Sequence, residues 1–394
     1  EVVPLYRISL LGGQYFFSSD KSNLNANIRA QAAPVVKLDE EWSLLPIYSS
    51  YFRGTKSVSD SVGSGTLFQQ GMDHRLGLGA HYKPEYSPWR FKSGAHYKWE
   101  FLKETRDETW GQGLFDYEKI GVGFEAENVY REPFSYRFGY DFYYIRFPNY
   151  NSLESQSGVD PNGNPLGRET AGTDVLDTFN QELSFTATRP YPYEDPKVSL
   201  QASYRFLWQT FADQPIINRQ GQPNGNKPYD RQDFNNSLTL SVGYPRQIMG
   251  GKIRMGLGFR TGFTYNGSNQ NTFDAGQTIF IPDSYSYTSV SAGPNASFSW
   301  GDNKNPFTAG AGITYTRLQY TGRRIQNGGG VYQDDKQHQD RYLLTLTYGY
   351  PIVPNFRLMA QTSVLWARSN MAYEKTYRYN YSTANYLFGF TYDY

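Results

Sequence analysis

The chain has 394 residues, with 38 basic and 37 acidic side chains and no cysteine, so its formal charge is +1. That balance gives no electrostatic footprint for nucleic acid, and the missing cysteines exclude disulfide scaffolds and thiolate metal sites. Mean hydropathy is −0.66 and no apolar run of roughly 18 residues occurs, which excludes a helical membrane protein, whereas 17% aromatics and 38 glycines favour strands.

An all-β chain of this kind is either a soluble sandwich or propeller, or a closed barrel in a bacterial outer membrane. Glu1-Val2-Val3-Pro4 has neither the basic start nor the apolar core of a secretory signal, so an exported protein would be numbered here from its mature start. Strands are expected near 5–17, 23–36, 42–53, 65–84, 90–104, 116–130, 135–147, 177–190, 197–212, 232–245, 252–265, 285–300, 307–320, 339–351, 355–368 and 381–394, sixteen in all. The warrant is period-2 alternation. Phe91, Ala95, Tyr97, Trp99 and Phe101 alternate with Lys92, His96, Lys98 and Glu100. Tyr136, Phe138, Tyr140 and Phe142 alternate with Arg137, Gly139, Asp141 and Tyr143. The same pattern runs through Val198–Trp208 and Ile253–Phe263. These runs exceed the five or six residues of an ordinary soluble strand and match tilted strands that cross a bilayer. Their ends are aromatic, as at Tyr15–Phe17, Tyr143–Tyr144, Tyr191, Tyr193, Tyr348 and Tyr350, as an interfacial girdle requires.

Short connections near 37–41, 85–89, 131–134, 191–196, 246–251, 301–306 and 352–354 alternate with longer ones near 54–64, 105–115, 148–176, 213–231, 266–284, 321–338 and 369–380. An even strand count with short turns on one side and long loops on the other predicts one transmembrane barrel over 1–394, with periplasmic turns, external loops and both termini periplasmic. No blade repeat of a propeller is present. Loops such as 158–165 and 220–227 are rich in Gly, Asn, Asp and Pro. They read as solvated turns, with calcium binding by their clustered Asp and Asn as the alternative, although no EF-hand spacing occurs.

At the end of the chain Tyr386, Phe388, Phe390, Tyr392 and Tyr394 occupy every second position. This resembles the C-terminal assembly signal of bacterial outer-membrane barrels, with Tyr394 where the final residue is usually Phe. The chain as a whole resembles a sixteen-stranded porin-like barrel, without a match to a particular family. The resemblance implies recognition by the barrel-assembly machinery and closure of the wall by pairing of the last strand with the first. It also implies lipid and lipopolysaccharide as surroundings. The 105–115 loop is too short for the inward-folded eyelet of general porins, so the 148–176 loop is the candidate plug, lid or external cap.

No enzyme is expected. No Gly-x-Ser-x-Gly elbow is present, and the histidines, His74, His81, His96 and His338, are scattered. His81 and His96 share lumen parity on adjacent strands, but solvated wall residues are the better reading, and no metal or other cofactor is implied. Glu125 and Glu127 likewise read as hydrated wall groups rather than an acid/base couple. By parity Arg7, Arg29, Lys92, Lys98, Arg137, Arg205, Arg254, Arg260 and Arg357 point inward, as do Glu100, Glu125, Glu127, Asp141 and Glu182. Fixed charge of this balance gives an open pore a modest preference for anions; alternatively the opposite charges pair and brace the wall. Outward Ala292, Ala296, Ala309 and Ala311 form a smoother patch that faces lipid or a neighbouring barrel. Two functions fit: a diffusion channel for small hydrophilic, anion-leaning solutes, or the barrel subunit of an envelope-spanning complex for polymer export, secretion, motility or adhesion, with periplasmic partners.

Overall fold

A computed structural model describes residues 1–18, 22–58, 67–128, 134–152, 169–189, 198–222, 230–274, 279–374 and 378–394. The expected turn at 158–165, Tyr191, Tyr193 and parts of several connections lie outside the described residues. The wall strands are β1 (Tyr6–Phe17), β2 (Asn23–Ala32), β3 (Trp42–Arg53), β4 (Gln70–Tyr82), β5 (Trp89–Lys103), β6 (Tyr117–Asn128), β7 (Ser135–Arg146), β8 (Thr178–Arg189), β9 (Ser199–Pro215), β10 (Asp230–Ile248), β11 (Ile253–Ser268), β12 (Tyr287–Trp300), β13 (Phe307–Gln326), β14 (Tyr332–Val353), β15 (Phe356–Ser369) and β16 (Tyr381–Asp393). Each pairs antiparallel with its chain neighbours. β16 pairs with β1 from Arg7↔Asp393 to Phe17↔Thr383, which closes a sixteen-stranded barrel with no free edge. At the usual interstrand spacing and tilt, sixteen strands give a backbone cylinder about 30 Å across.

The alternation sorts side chains to two surfaces. Along β1, Phe16 is 36% exposed while its neighbours Tyr15 and Phe17 are 2% and 3% exposed. A residue type that is exposed at one position and covered at the next marks the convex and concave sides of a closed wall. Ile8, Leu10, Phe124, Phe138, Leu183, Leu240, Phe259, Leu346 and Phe388 are exposed on the convex side. The covered apolar groups form small clusters on the concave side at the long-loop end. One joins Phe68, Leu102, Tyr117, Tyr143, Ile145, Phe147, Tyr150 and Val175; another joins Tyr15, Phe17, Ala367 and Tyr381.

Several strand limits differ from the sequence expectation. β2 stops at Ala32, because Pro34 has no N–H to donate to a ladder. The chain resumes at Val35–Lys37, which pairs with both Val2–Val3 and β3. β4 starts at Gln70, since Leu67–Phe68 leaves the wall to pair with Ser57–Val58. β13 and β14 run much further than expected, so most of the 321–338 loop is hairpin ladder, closed by Asn327 and Val331. Charged residues such as Arg324, Asp334 and Lys336 occupy that extension, and polar side chains on both faces remove the period-2 signal that marks a strand.

The closing seam is tight. At Gly13 an ideal Cβ would run into the carbonyl of Tyr386, and at Gly389 into the carbonyl of Leu10. Around it Tyr6 and Tyr394 exchange backbone hydrogen bonds at 2.9 and 2.8 Å, Arg7 meets Asp393, and Phe16 packs edge-on against Tyr386.

Candidate functional site in the barrel lumen

The concave wall carries the charged residues, and register decides how they combine. On β5, β6 and β7 the positions Arg90↔Glu127↔Arg137 lie directly opposite one another, as do Lys92↔Glu125. Signs alternate and the groups pair. Lys92 reaches Glu125 at 2.6 Å and Glu127 at 3.2 Å, and Arg137 reaches Glu127 at 3.1 Å. Arg205 on β9 binds Glu182 on β8 at 3.0 Å. This is the bracing arrangement, and it consumes most of the expected inward carboxylates.

Further along the same strands the rule reverses. Arg75 on β4, Lys98 on β5 and Lys119 on β6 are consecutive register partners, so three cations stand in one row. Asp141 on β7 and Glu182 on β8 are also direct partners. Like charges placed opposite each other in a ladder destabilise it. Lys98 is compensated by Glu100 at 2.6 Å and by the Tyr117 hydroxyl at 3.2 Å, and Tyr117 in turn donates to Glu100. Lys119 lies 3.6 Å from the Tyr143 ring centroid. The acidic row continues into glycines, with Gly79↔Gly94↔Gly123↔Asp141↔Glu182 in one register row. Asp141 leans over Gly123, and the His96 ring and Tyr143 lean over Gly121.

The other expected inward residues are spread round the wall. Arg7 closes the seam with Asp393. The Arg29 guanidinium sits 4.9 Å from the Tyr51 ring centroid. Arg254 and Arg260 point from β11 with Arg254↔Ser299 and Arg260↔Gly293 across from them. Arg357 lies against Gly349. Among the described residues none of Arg29, Arg75, Lys119, Arg254, Arg260 or Arg357 has a carboxylate within 4.0 Å. Parity alone also reaches Asp73, Arg75 and Lys119, which the sequence reading passed over although Leu76, Leu78 and Ile120 beside them fix their side of the wall. What parity does not yield is the like-sign rows, because they depend on which residues face one another across strands.

The four histidines do not assemble. His81 lies opposite Lys92 and His96 opposite Gly77. His74 is on the convex side against Tyr48 and Trp99, and His338 stands at 3.7 Å from Asp340. Among the described residues no cluster of metal-ligating type occurs.

At the long-loop end the described parts of the 148–176 loop and the residues flanking it are tied to the rim of the barrel. Asp177 accepts from Phe147 N at 2.8 Å and from the Tyr144 hydroxyl at 2.7 Å. Tyr150 donates to the Thr170 carbonyl at 2.7 Å. Glu169, 5% exposed, accepts from the Tyr285 hydroxyl at 2.8 Å, which links this loop to the connection between β11 and β12. Burial and the neighbouring Glu169 push the Tyr285 hydroxyl well above its ordinary range, and the guanidinium groups of Arg231 and Arg323 lie 3.8 and 5.7 Å from its ring centroid. Burial also raises Asp116, although the N–H groups of Leu102 and Gly113 donate to its carboxylate. In the 105–115 loop Trp110 packs against Phe52 and Lys103 at the rim.

The C-terminal aromatics all take the convex side: Tyr386, Phe388, Tyr392 and Tyr394 are exposed, and Phe390 stacks on Phe356. Ala296 and Ala311 face each other across β12 and β13, with Ala292 opposite Tyr315 and Ala309 opposite Phe298.

No family model and no curated protein matches the chain. Among solved structures it is similar to OccD3 (OpdP) of Pseudomonas aeruginosa, with a TM-score of 0.48 and 9% identity over 99% of this chain and 91% of that one. It is similar to a bacterial polysaccharide outer membrane secretin at a TM-score of 0.45 and 9% identity, over 100% and 98% of the two chains. A third is outer-membrane expressed OmpT of Vibrio cholerae, at 0.44 and 11% identity over 100% and 97%.

Proposed function

We propose that the chain is an outer-membrane channel for small hydrophilic solutes, with a modest preference for anions. The observation that carries this reading is the division of the wall. The convex surface is a band of exposed Leu, Ile, Val, Phe and Tyr, which water would not tolerate over a whole cylinder. The concave surface holds Ser, Thr, Gly, Asn and the charged rows. Sixteen strands enclose enough space for an aqueous path. Among the described residues, pairing leaves the inner surface with cations that have no carboxylate within 4.0 Å, and fixed charge of one sign raises the local concentration of its counter-ion. The wall groups act as a polar conduit and not as a reaction centre. In this reading the short-turn end and both termini are periplasmic, the long loops face outside, and lipid with lipopolysaccharide covers the convex band. The assembly machinery reads the aromatic ladder of β16.

Reconstitution into planar bilayers tests the proposal. A stable conductance is expected, and under a potassium chloride gradient the reversal potential shifts toward that of chloride. Clear cation selectivity, or no conductance from folded protein, overturns it.

A further inference from the structure

We propose that the inner wall over β4–β8 carries a subsite for a small hydroxylated carboxylate, of the class of the sugar acids. The proposal rests on the channel reading, because the charged residues of the site lie on the lumen side of the wall. It starts from the two like-charged rows. Arg75, Lys98 and Lys119 are direct register partners, as are Asp141 and Glu182. Elsewhere on the same strands opposite signs alternate and pair, so a sheet able to neutralise itself leaves these positions unneutralised. The compensation inside the rows is partial. Glu100 serves Lys98 and Arg205 serves Glu182, while among the described residues the side chains of Arg75 and Asp141 have no hydrogen bond or ion pair.

Both rows line one cavity of about 210 Å³, together with His96 and Tyr143. A second cavity of about 230 Å³ adjoins it, sharing Arg75, His96 and Asp141, and its floor is the bare backbone of Gly77, Gly79, Gly94, Gly123 and Gly139. A ligand that satisfies this surface must present an anion to Arg75 and Lys119 and hydrogen-bond donors to Asp141 in the same cavity. The planar fork of a guanidinium matches a carboxylate, and hydroxyl groups supply the donors. A neutral sugar leaves the cations unmet, and acetate leaves the acids unmet. A phosphate dianion brings its second charge toward Asp141 and Glu182. The glycine floor leaves room for a ring to lie against the wall.

The experiment measures block of chloride current through the reconstituted barrel by D-galacturonate, D-galactose, acetate and inorganic phosphate. Galacturonate is expected to block saturably, with a half-blocking concentration at least tenfold below those of the other three. Arg75→Gln raises that concentration at least tenfold. Asp141→Asn raises it for galacturonate and leaves acetate unchanged. Gly79→Val fills the floor; its Cβ would stand 3.7 Å from Leu45 Cβ, an ordinary contact, and the variant is expected to give a heat-modifiable folded band in the gel and to lose the block. Equal half-blocking by galacturonate and acetate or galactose, or unchanged block in both Arg75→Gln and Gly79→Val, overturns the subsite. A pore that conducts without this block leaves the channel reading standing. Galacturonate binding to the detergent-solubilised barrel by titration calorimetry, without conductance, leaves the subsite and overturns the channel.

Discussion

Gly13 and Gly389 are held by space and not by backbone conformation. Neither is among the residues with positive φ, yet a Cβ at either would meet a carbonyl of the strand across the seam. The seam is where the ladder must accept its last partner, so crowding there opposes closure itself. We expect Gly389→Val to cost about 1–3 kcal/mol, the range for overpacking, and to reduce the fraction of chain that migrates as a compact, detergent-resistant band in an unheated gel. A fully compact band from Gly389→Val would remove this account of the seam. Nothing in the sequence distinguishes Gly389 from Gly12, whose added Cβ would lie 3.9 Å from the nearest atom, because the difference is set by the backbone of a strand over 370 residues away in the chain.

Strands whose two faces differ in polarity are legible from the sequence, and strands whose faces do not differ are hidden. β7 alternates Phe and Tyr with Arg, Gly and Asp, and its observed limits fall within a residue of the expected ones. The outer parts of β13 and β14 leave the apolar band, carry polar groups on both faces, and read as loop. Charge parity is legible in the same way, so Lys92, Glu125, Glu127 and Arg137 come out on the concave side, but their partnerships come from register. The paired and the unneutralised charges occupy different positions: among the described residues the bracing pairs lie on β5–β9, and the cations with no carboxylate within 4.0 Å are Arg29, Arg75, Lys119, Arg254, Arg260 and Arg357. This separation has a measurable consequence. Glu127 serves Arg90, Lys92 and Arg137 at 3.7, 3.2 and 3.1 Å. Glu127→Gln removes one negative charge from the lumen and takes from Arg90 its carboxylate, while Lys92 and Arg137 keep Glu125 at 2.6 and 3.5 Å, so the reversal potential is expected to move further toward chloride, with the shift shrinking at high ionic strength as screening grows. A shift toward potassium would contradict the assignment of these groups to the conduction path.

For the molecule as a whole, the ambiguity in the sequence is which side of each strand is inside. A sandwich that buries its aromatics and a barrel that exposes them give the same alternation. Pairing of β16 with β1 resolves it, because a closed cylinder of this width leaves the apolar side as the only surface that can meet lipid. Two adjacent residues in the middle of β10 turn this into an experiment. Leu240 is exposed on the convex side, while Thr239 faces inward between Ser203 and Gly262. Arginine at a lipid-facing position near the bilayer midplane costs about 2–4 kcal/mol, whereas a lumen position is solvated. We therefore expect Leu240→Arg to lower the unfolding free energy in lipid vesicles by about that amount. Thr239→Arg should change stability by less than about 1 kcal/mol and instead increase anion preference, since it adds a hydrated charge to the path. Reversible urea titration followed by tryptophan fluorescence gives the first quantity and bilayer recording the second. The opposite ranking, with Thr239→Arg the destabilising change, would place the apolar side chains in a protein interior and the polar ones outside, and the membrane reading of the wall would fall with it.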